Sequence, residues 1–290
     1  SNLPATIRVA SIGDSFTFGD EVLCEESWGH LLETLLQPHT QVLNFGVNAY
    51  GLNQAFLRYQ KDVRTWKPQI VVIGIISEMI KRSVNIYPIL QDPEWDFPFA
   101  RPRLVMTNGV PIAVNQPLPT ARTIFSFKKI ADLPFLAFNE YYRPYLWERA
   151  GLWYLPEKSY FFRFAYSFRA PSDDLQEERT EHALQLSQQV LQWLIREIVE
   201  DGGIPVVVFL PIKDELHELT ATKSNTVPLA IRLFQRAEIE YVDPSDCLMN
   251  VTNSEAYLRG GHYSPQSNAE VAHCIEPVLR GKMAQLQRGK

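Results

Sequence analysis

The stretch that decides the fold is IRVASIGDS, residues 7–15, in which a short apolar run ends in a glycine-containing turn and a serine. The pattern returns at residues 42–46 (VLNFG), and a longer apolar run follows at residues 70–76 (IVVIGII). These runs are continuous rather than alternating, which is typical of strands covered on both faces. Amphipathic stretches at residues 27–36 and 53–66 predict helices between them. The first part of the chain therefore predicts strands that alternate with helices.

The same alternation returns near the end of the chain. The predicted elements are a long helix at residues 176–201, strands at residues 205–210 and 239–242, and a last helix at residues 268–279. Gly202-Gly203 ends the long helix, and Ser264-Pro265 fits the cap and first position of the last one. Strands that alternate with helices form a parallel sheet wrapped by helices. We therefore expect an α/β fold, a three-layer sandwich of helices, parallel sheet and helices with about five strands.

Residues 81–175 break this rhythm and are rich in proline and aromatic residues. Within them, Asn108-Gly109 separates two apolar runs, and this dipeptide favours a β-hairpin. We interpret the region as an insertion after the third strand, within a single domain that spans residues 1–290. Two roles stay open for it: a cap that packs its own aromatic side chains, or a lid or substrate wall.

Composition and charge exclude several classes of function. The 290 residues include 28 Lys and Arg against 33 Asp and Glu, a formal charge of −5, which argues against a nucleic-acid partner because such proteins carry a basic face. No stretch approaches the ~18 apolar residues of a membrane span. Since the first predicted strand begins by Ile7, the sequence is compatible with an upstream export signal or anchor and an extracytoplasmic location, and the compartment stays open.

The three cysteines, Cys24, Cys247 and Cys274, lie far apart and form no C-x-x-C pair. A zinc site is therefore not expected. We predict that all three are small buried apolar residues.

A serine and a histidine are the residues best placed for chemistry. Ser15 follows the first strand, and in open α/β sheets ligands bind beyond the carboxyl ends of the strands. His262 follows Gly260-Gly261 in a loop that can return over the sheet, so it is the candidate base. Thr17 stands where a G-x-S-x-G elbow would have its second glycine. Taken alone, the serine could simply cap a turn.

Three stretches resemble conserved blocks of the SGNH/GDSL hydrolase family. Residues 13–19 (GDSFTFG) resemble block I, and residues 44–51 (NFGVNAYG) resemble block II, whose glycine, here Gly46, lends an N–H to the oxyanion hole. Residues 262–265 (HYSP) resemble block V, which carries the catalytic histidine. The likeness covers about residues 6–80 and 177–283. It implies the flavodoxin-like SGNH hydrolase fold and no metal or organic cofactor.

Two departures from the family pattern affect the site. The segment at residues 74–79 (GIISEM) lacks the asparagine of block III, which normally donates to the oxyanion. The positions before His262 that normally hold the acid of the triad are Gly260 and Arg259. Asn48 and Ser77 are candidate replacement donors. Glu78 is the candidate replacement acid.

Three roles stay open for Glu78. It could pair with Arg82 one helical turn later, orient His262 in place of the missing aspartate, or donate to the oxyanion as a protonated acid. An ionised Glu78 carboxylate beside a developing oxyanion would repel the oxyanion.

The resemblance implies that Ser15 attacks an ester carbonyl while His262 takes its proton. The N–H groups of Ser15 and Gly46 would then stabilise the oxyanion. We predict a serine esterase whose partner is a small-molecule ester or O-acylated glycan, with an O-acetyl group on a carbohydrate as the leading substrate. Transfer of the acyl group to a sugar hydroxyl is a close variant.

Two other functions remain as alternatives. One is a degenerate, non-catalytic domain that binds an acyl or glycan ligand or acts in a polysaccharide-processing assembly. The other is an esterase of the lipase or lysophospholipase type, with a continuous apolar groove built by the insertion. The first predicts that the side chains of Ser15 and His262 diverge.

Overall fold

The computed structural model describes residues 7–91, 99–142, 159, 161, 173–220, 226–251 and 255–288. The chain divides into two compact units, one of residues 1–80 and 187–290 and the other of residues 81–186. The first unit holds a five-stranded parallel sheet, and the second holds a two-stranded antiparallel one. The predicted α/β class with about five parallel strands is thus confirmed.

The strands in chain order are β1 (Ile7–Ile12), β2 (Thr40–Asn44), β3 (Ile70–Ile75), β4 (Leu104–Thr107), β5 (Val110–Ala113), β6 (Ile204–Phe209) and β7 (Tyr241–Val242). The α-helices are α1 (Ser15–Phe18), α2 (Trp28–Leu36), α3 (Leu52–Arg58), α4 (Ser77–Arg82), α5 (Ala121–Ser126), α6 (Asp173–Glu200), α7 (Lys213–Thr220), α8 (Leu229–Ala237), α9 (Ser245–Leu248) and α10 (Pro265–Arg288). Within the described ranges, no helix is long and apolar enough to cross a membrane.

The parallel sheet has the strand order β2-β1-β3-β6-β7. Every residue of β3 is buried, as the continuous apolar run predicts, because this strand has a neighbour on each side and helices cover the sheet. The pairing sets Ile12 beside Ile73 and Gly74 beside Val208, so β1, β3 and β6 end close together. Since all strands run the same way, the loops that follow them meet at one edge of the sheet.

Some helix boundaries differ from the predicted ones. The helix predicted at residues 53–66 is α3 followed by a π-helical turn at Tyr59–Val63 and a 3₁₀ turn at Arg64–Trp66. The last helix begins at Pro265, and the Ser264 hydroxyl accepts from the N–H of Ser267 at 3.2 Å, which is the predicted cap. Helices α1, α4, α5, α7, α8 and α9 add to the predicted set.

The second unit contains the predicted hairpin. Thr107 pairs with Val110, which leaves Asn108 and Gly109 as a two-residue turn. Their φ angles are 52° and 77°, and a turn with positive φ at both positions matches the right-handed twist of the flanking strands.

Residues 81–175 fall within this second unit, where a small core buries Ile86, Tyr87, Leu90, Ala100, Ile124 and Leu136. Arg103 is buried beside that core and donates to the carbonyl of Ser83 at 2.8 Å and to Glu140 at 2.8 Å. Many aromatic residues of the region, at positions 92–98 and 143–158, lie outside the described residues. The role of the region as cap or substrate wall stays a prediction.

Candidate active site

Ser15 lies at the carboxyl end of β1, as the first residue of the one-turn helix α1. Asp14 caps this helix, because its Oδ1 accepts from the N–H of Phe16 at 3.1 Å. Gly19 ends the helix with a φ of 86°, in the left-handed region that glycine tolerates. Ser15 is 4% exposed, so its hydroxyl is held at the rim of the core rather than in open solvent.

Thr17 explains why a glycine follows β1 and another lies near the end of β3. Its side chain is fully buried between Gly13 and Gly74. A Cβ at either glycine would overlap the Thr17 hydroxyl. The two glycines therefore let α1 pack directly against the ends of the two central strands.

Asn44 ties the loop after β2 to the segment that carries Ser15. Its Nδ2 donates to the carbonyls of Thr17 at 2.9 Å and Phe18 at 3.1 Å, and its Oδ1 accepts from the N–H of Gly46 at 2.9 Å. Gly46 packs so closely that a Cβ there would overlap the backbone of Phe18. The predicted oxyanion donor thus lies against α1, with its N–H engaged by Asn44.

The loop of residues 257–263 holds His262 through long-range anchors. Tyr257 and Tyr263 form an isolated antiparallel bridge, and both hydroxyls donate to the carbonyl of Pro211, at 2.8 and 2.9 Å. Between them the N–H of Leu258 donates to the carbonyl of His262 at 2.7 Å. The loop is therefore fixed to the end of β6, close to the edge of the sheet where Ser15 lies.

His262 contacts two residues of the segment that follows β1. Its Nε2 lies 2.9 Å from the Ser15 Oγ, and its Nδ1 lies 2.8 Å from Oε2 of Glu21. The ring is 19% exposed and packs on Phe16, with 5.1 Å between ring centroids. A hydroxyl, an imidazole and a carboxylate therefore lie in one hydrogen-bonded line.

Glu21 holds the histidine loop as well as the ring. Its carboxylate accepts from the N–H of Gly260 at 2.8 Å and from the N–H of His262 at 3.2 Å. A Cβ at Gly260 would lie 2.6 Å from the carboxylate, so the glycine leaves the space that Glu21 fills. The backbone at Glu21 has a φ of 67°, an uncommon conformation for a residue with a side chain.

The Glu21 carboxylate sets the tautomer of the ring through its contact with Nδ1. Partial burial raises the pKa of this carboxyl, but hydrogen bonds from the His262 ring and from the two N–H groups outweigh it and hold the pKa below its ordinary value. An ionised carboxylate only accepts hydrogen bonds, so the proton of a neutral His262 lies on Nδ1. The lone pair of Nε2 then faces the Ser15 hydroxyl.

Glu21 replaces Glu78 as the acid beside His262. Both ring nitrogens of His262 are engaged, one by Glu21 and one by Ser15, so no ring nitrogen is left for Glu78 to orient. The prediction that Glu78 holds the imidazole is therefore wrong. Its pairing with Arg82 stays a prediction.

The two candidate substitute donors both have other partners. The Ser77 hydroxyl is buried and accepts from the N–H of Ala230 at 3.0 Å, which satisfies the first turn of α8. Asn48 is exposed, and its Nδ2 donates to Oδ2 of Asp20 at 2.7 Å. The bond to Ala230 uses the Ser77 hydroxyl as an acceptor and leaves its O–H as a donor, whereas Asn48 donates to Asp20; an oxyanion role stays a prediction.

The cysteines differ from the expectation of three buried apolar residues. Cys247 and Cys274 form a disulfide between α9 and α10, with 6.4 Å between their Cα atoms. Cys24 is a free, exposed thiol. The spacing of 27 residues gave no sign of the pairing, because helix α10 brings the two positions together only in the folded chain. The closed loop contains His262.

Comparisons with known proteins identify similar folds. No family model and no curated protein matches the chain. Two similar solved structures are described as lipolytic proteins of the G-D-S-L family, and another as a lipase/acylhydrolase, all at low identity. A lipase/acylhydrolase from Enterococcus faecalis is 12% identical with a TM-score of 0.47, over 96% of this chain and 97% of that one. A G-D-S-L family member from Veillonella parvula is 10% identical with a TM-score of 0.45, over 94% and 98%.

A catalytic mutant of the acetylxylan esterase Axe2 from Geobacillus stearothermophilus is 11% identical with a TM-score of 0.46, over 95% of this chain and 94% of that one. Likenesses at this level describe an arrangement of strands and helices and leave the activity undecided. The function of this chain is therefore inferred from the geometry of its own site.

Proposed function

We propose that this protein is a serine carboxylic ester hydrolase, with Ser15 as nucleophile and His262 as general base. Glu21 is the residue that orients the imidazole. The observation that carries this proposal is the pair of hydrogen-bonding distances at one ring, 2.9 Å to Ser15 and 2.8 Å to Glu21. Both lie within the range for proton transfer between heavy atoms. Unrelated folds use the same order of groups for acyl transfer.

The geometry supports a two-step reaction. His262 Nε2 takes the proton of Ser15 as the Oγ attacks the ester carbonyl, and Glu21 stabilises the imidazolium that forms. The same nitrogen then returns the proton to the leaving alcohol oxygen, which leaves an acyl group on Ser15. Water, activated in turn by Nε2, releases the acid and restores the hydroxyl.

Backbone N–H groups are the proposed oxyanion donors. Ser15 is the first residue of α1, so its N–H has no acceptor within the helix and is the first proposed donor to the carbonyl oxygen. The N–H of Gly46 is the second proposed donor, and it would exchange its bond to Asn44 for one to the oxyanion. Ser77 remains a proposed third donor, whereas Asn48 lies against the Asp20 carboxylate, which would repel an oxyanion there.

The proposed substrate is an ester of a small acyl group, with an O-acetyl group on a carbohydrate as the leading case. This preference rests on the resemblance to the SGNH/GDSL family and on the aromatic-rich region of residues 81–175, since aromatic rings can stack on the faces of sugars. Transfer to a sugar hydroxyl instead of water uses the same residues. The non-catalytic alternative predicts that Ser15 and His262 diverge, and their separation of 2.9 Å favours the hydrolase.

Labelling with a fluorophosphonate probe tests the proposal. The probe should modify the wild type and not Ser15→Ala, because only an activated serine attacks it. Ser126→Ala is a matched control, since this exposed serine donates to the carbonyl of Thr123 in its own helix, and it should label like the wild type. Hydrolysis of p-nitrophenyl acetate should fall at least ~10³-fold in Ser15→Ala. Persistent labelling of Ser15→Ala would contradict the assignment of the nucleophile.

A further inference from the structure

A second carboxylate faces the reactive nitrogen of His262. Oδ2 of Asp20 lies 3.9 Å from Nε2, on the side of the ring that also contacts Ser15. The proposed reaction uses Glu21 on Nδ1 and gives Asp20 no part. Its side chain is 30% exposed, so it can meet a substrate that enters from solvent.

Asp20 is held in place by three contacts. Its Oδ2 accepts from Nδ2 of Asn48 at 2.7 Å, and its Oδ1 accepts from the N–H of Glu21 at 3.2 Å. Its own N–H donates to the carbonyl of Ser15 at 3.1 Å. A carboxylate offers about four acceptor positions, so two contacts leave room for donors from a ligand.

The proposed reaction determines which half of an ester meets Asp20. The carbonyl oxygen gains negative charge in the transition state, so it must point away from this carboxylate and toward backbone N–H groups. The leaving oxygen must approach Nε2 to receive a proton, and Nε2 is the atom that Asp20 faces. The alcohol half of the ester therefore lies beside Asp20.

A carboxylate beside the alcohol selects for hydrogen-bond donors. A free hydroxyl near the esterified oxygen would donate to Asp20, whereas a plain alkyl chain would only displace its water. Asn48 adds a carboxamide with its own donor and acceptor to the same place. An acceptor and a carboxamide side by side suit neighbouring hydroxyls, as a carbohydrate carries them.

Resting on the proposed hydrolase activity, we propose that Asp20, positioned by Asn48, recognises a hydroxyl group on the alcohol half of the substrate. The protein then prefers esters of polyols over esters of simple alcohols.

A matched pair of esters tests this inference. Ethylene glycol monoacetate and methoxyethyl acetate share the acyl group and the chain, and differ only in whether the free hydroxyl is capped by a methyl group. In the wild type, kcat/KM should favour the free hydroxyl by about tenfold or more, because the bond is to a charged acceptor. Asp20→Asn should reduce this ratio by about three- to tenfold, since a neutral acceptor binds the hydroxyl more weakly.

Two further variants control for indirect effects. Asn48→Ala leaves the carboxylate but removes its partner, and it should lower the same ratio by a smaller factor. Asp62→Asn removes a partly exposed carboxylate that pairs with Arg58 on α3, and it should leave the ratio as in the wild type. Thermal unfolding of each variant identifies any that fails to fold.

Four outcomes would overturn the inference. If the wild type and Asp20→Asn are both active and have the same ratio of kcat/KM for the two esters, Asp20 does not recognise the alcohol. The proposed hydrolase activity then stands. An equal loss on both esters in Asp20→Asn assigns it to the catalytic machinery instead. A preference for acetylcholine over the glycol ester, lost in Asp20→Asn, identifies a cationic alcohol. Absence of hydrolysis and of fluorophosphonate labelling in the wild type overturns the proposed function and this inference with it.

Discussion

Two regions of the first unit build the candidate site, and they are held in different ways. The nucleophile segment, residues 13–21, is fixed by close backbone packing against the ends of β1 and β3, with glycines where α1 touches them. The histidine loop, residues 257–263, is fixed by side chains that reach across the fold, two tyrosine hydroxyls on one carbonyl and a disulfide that closes around it.

The difference shows how a site can combine a rigid part with a tethered part. The nucleophile segment has little freedom, because any added atom at its glycines meets a neighbouring side chain or backbone. The histidine loop depends on a few separate bonds, each of which can be removed alone. Glu21 is the residue of the first region that binds both the ring and the backbone of the second.

Removing the Glu21 carboxylate should give the largest effect after loss of Ser15 or His262. In Glu21→Gln the side chain no longer holds the proton on Nδ1 or stabilises the imidazolium. We expect kcat to fall by about 10²–10⁴-fold, measured by steady-state hydrolysis of p-nitrophenyl acetate.

Glu25→Gln is the matched control, since this glutamate is exposed in the 3₁₀ turn Cys24–Glu26. It should keep the activity of the wild type. A Glu21→Gln enzyme with wild-type kcat would show that catalysis does not need the contact between the Glu21 carboxylate and His262.

Opening the disulfide should loosen the histidine loop and leave the nucleophile segment as it is. The bond spans 27 residues, and closing a loop of that length contributes about 3–4 kcal/mol to the free energy of unfolding. Cys247→Ser with Cys274→Ser should lose about this amount in urea denaturation. Cys24→Ser, at the free thiol, should change it by less than about 0.5 kcal/mol. If the double variant is as stable as the wild type, the disulfide does not help to hold the histidine loop.

A methyl group at Gly46 should disturb the nucleophile segment. Its Cβ would overlap backbone atoms of Phe18, which cannot move aside as a flexible side chain does. We expect Gly46→Ala to lower the free energy of unfolding by about 2–3 kcal/mol, with reduced fluorophosphonate labelling.

Gly281→Ala is the contrasting substitution, because nothing lies within 4 Å of a Cβ at this position in helix α10. It should raise stability by about 0.5–1 kcal/mol through helix propensity. If Gly46→Ala has the stability of the wild type, the backbone of Phe18 can move aside with little loss of unfolding free energy.

Substitution of either tyrosine that anchors the histidine loop should give the smallest loss of unfolding free energy. Substitution of both should cost more than the sum of the two single losses. Tyr257→Phe or Tyr263→Phe removes one of two donors to the Pro211 carbonyl and should cost about 1 kcal/mol. Removing both leaves a buried carbonyl without either donor, so the double variant should lose more than the sum. A double-mutant cycle in thermal or urea unfolding measures this excess. Strict additivity would indicate that the two bonds hold the loop independently.

The sequence was sufficient for the elements whose signals are local. Continuous β-branched runs predicted the central strands, and Asn108-Gly109 predicted the hairpin, because both depend on neighbouring residues only. Ser15 at a strand end and His262 in a late loop were singled out, and their side chains lie within hydrogen-bonding distance.

The rest of the site depends on contacts between distant parts of the chain. Glu21 lies 241 residues from His262, and an acidic residue after a short helix has the local pattern of a solvated turn. The sequence signal for Glu21 lies next to His262, where Gly260 leaves space for the carboxylate. The shared carbonyl of Pro211 had no sequence signal, since its partners are fixed only by packing of the loop on β6.

Gly260 has a consequence for how this site can change. The family pattern that the chain resembles has its aspartate two or three residues before the histidine, and in this protein one of those positions is the glycine that makes room for Glu21. An aspartate introduced at Gly260 would meet the Glu21 carboxylate, since even its Cβ would lie 2.6 Å away, and two like charges would then compete for one imidazole. An aspartate at position 260 and a glutamate at position 21 therefore exclude each other. A lineage that moves the acid from residue 21 to residue 260 by single substitutions passes through a protein in which the imidazole has either two competing carboxylates or none.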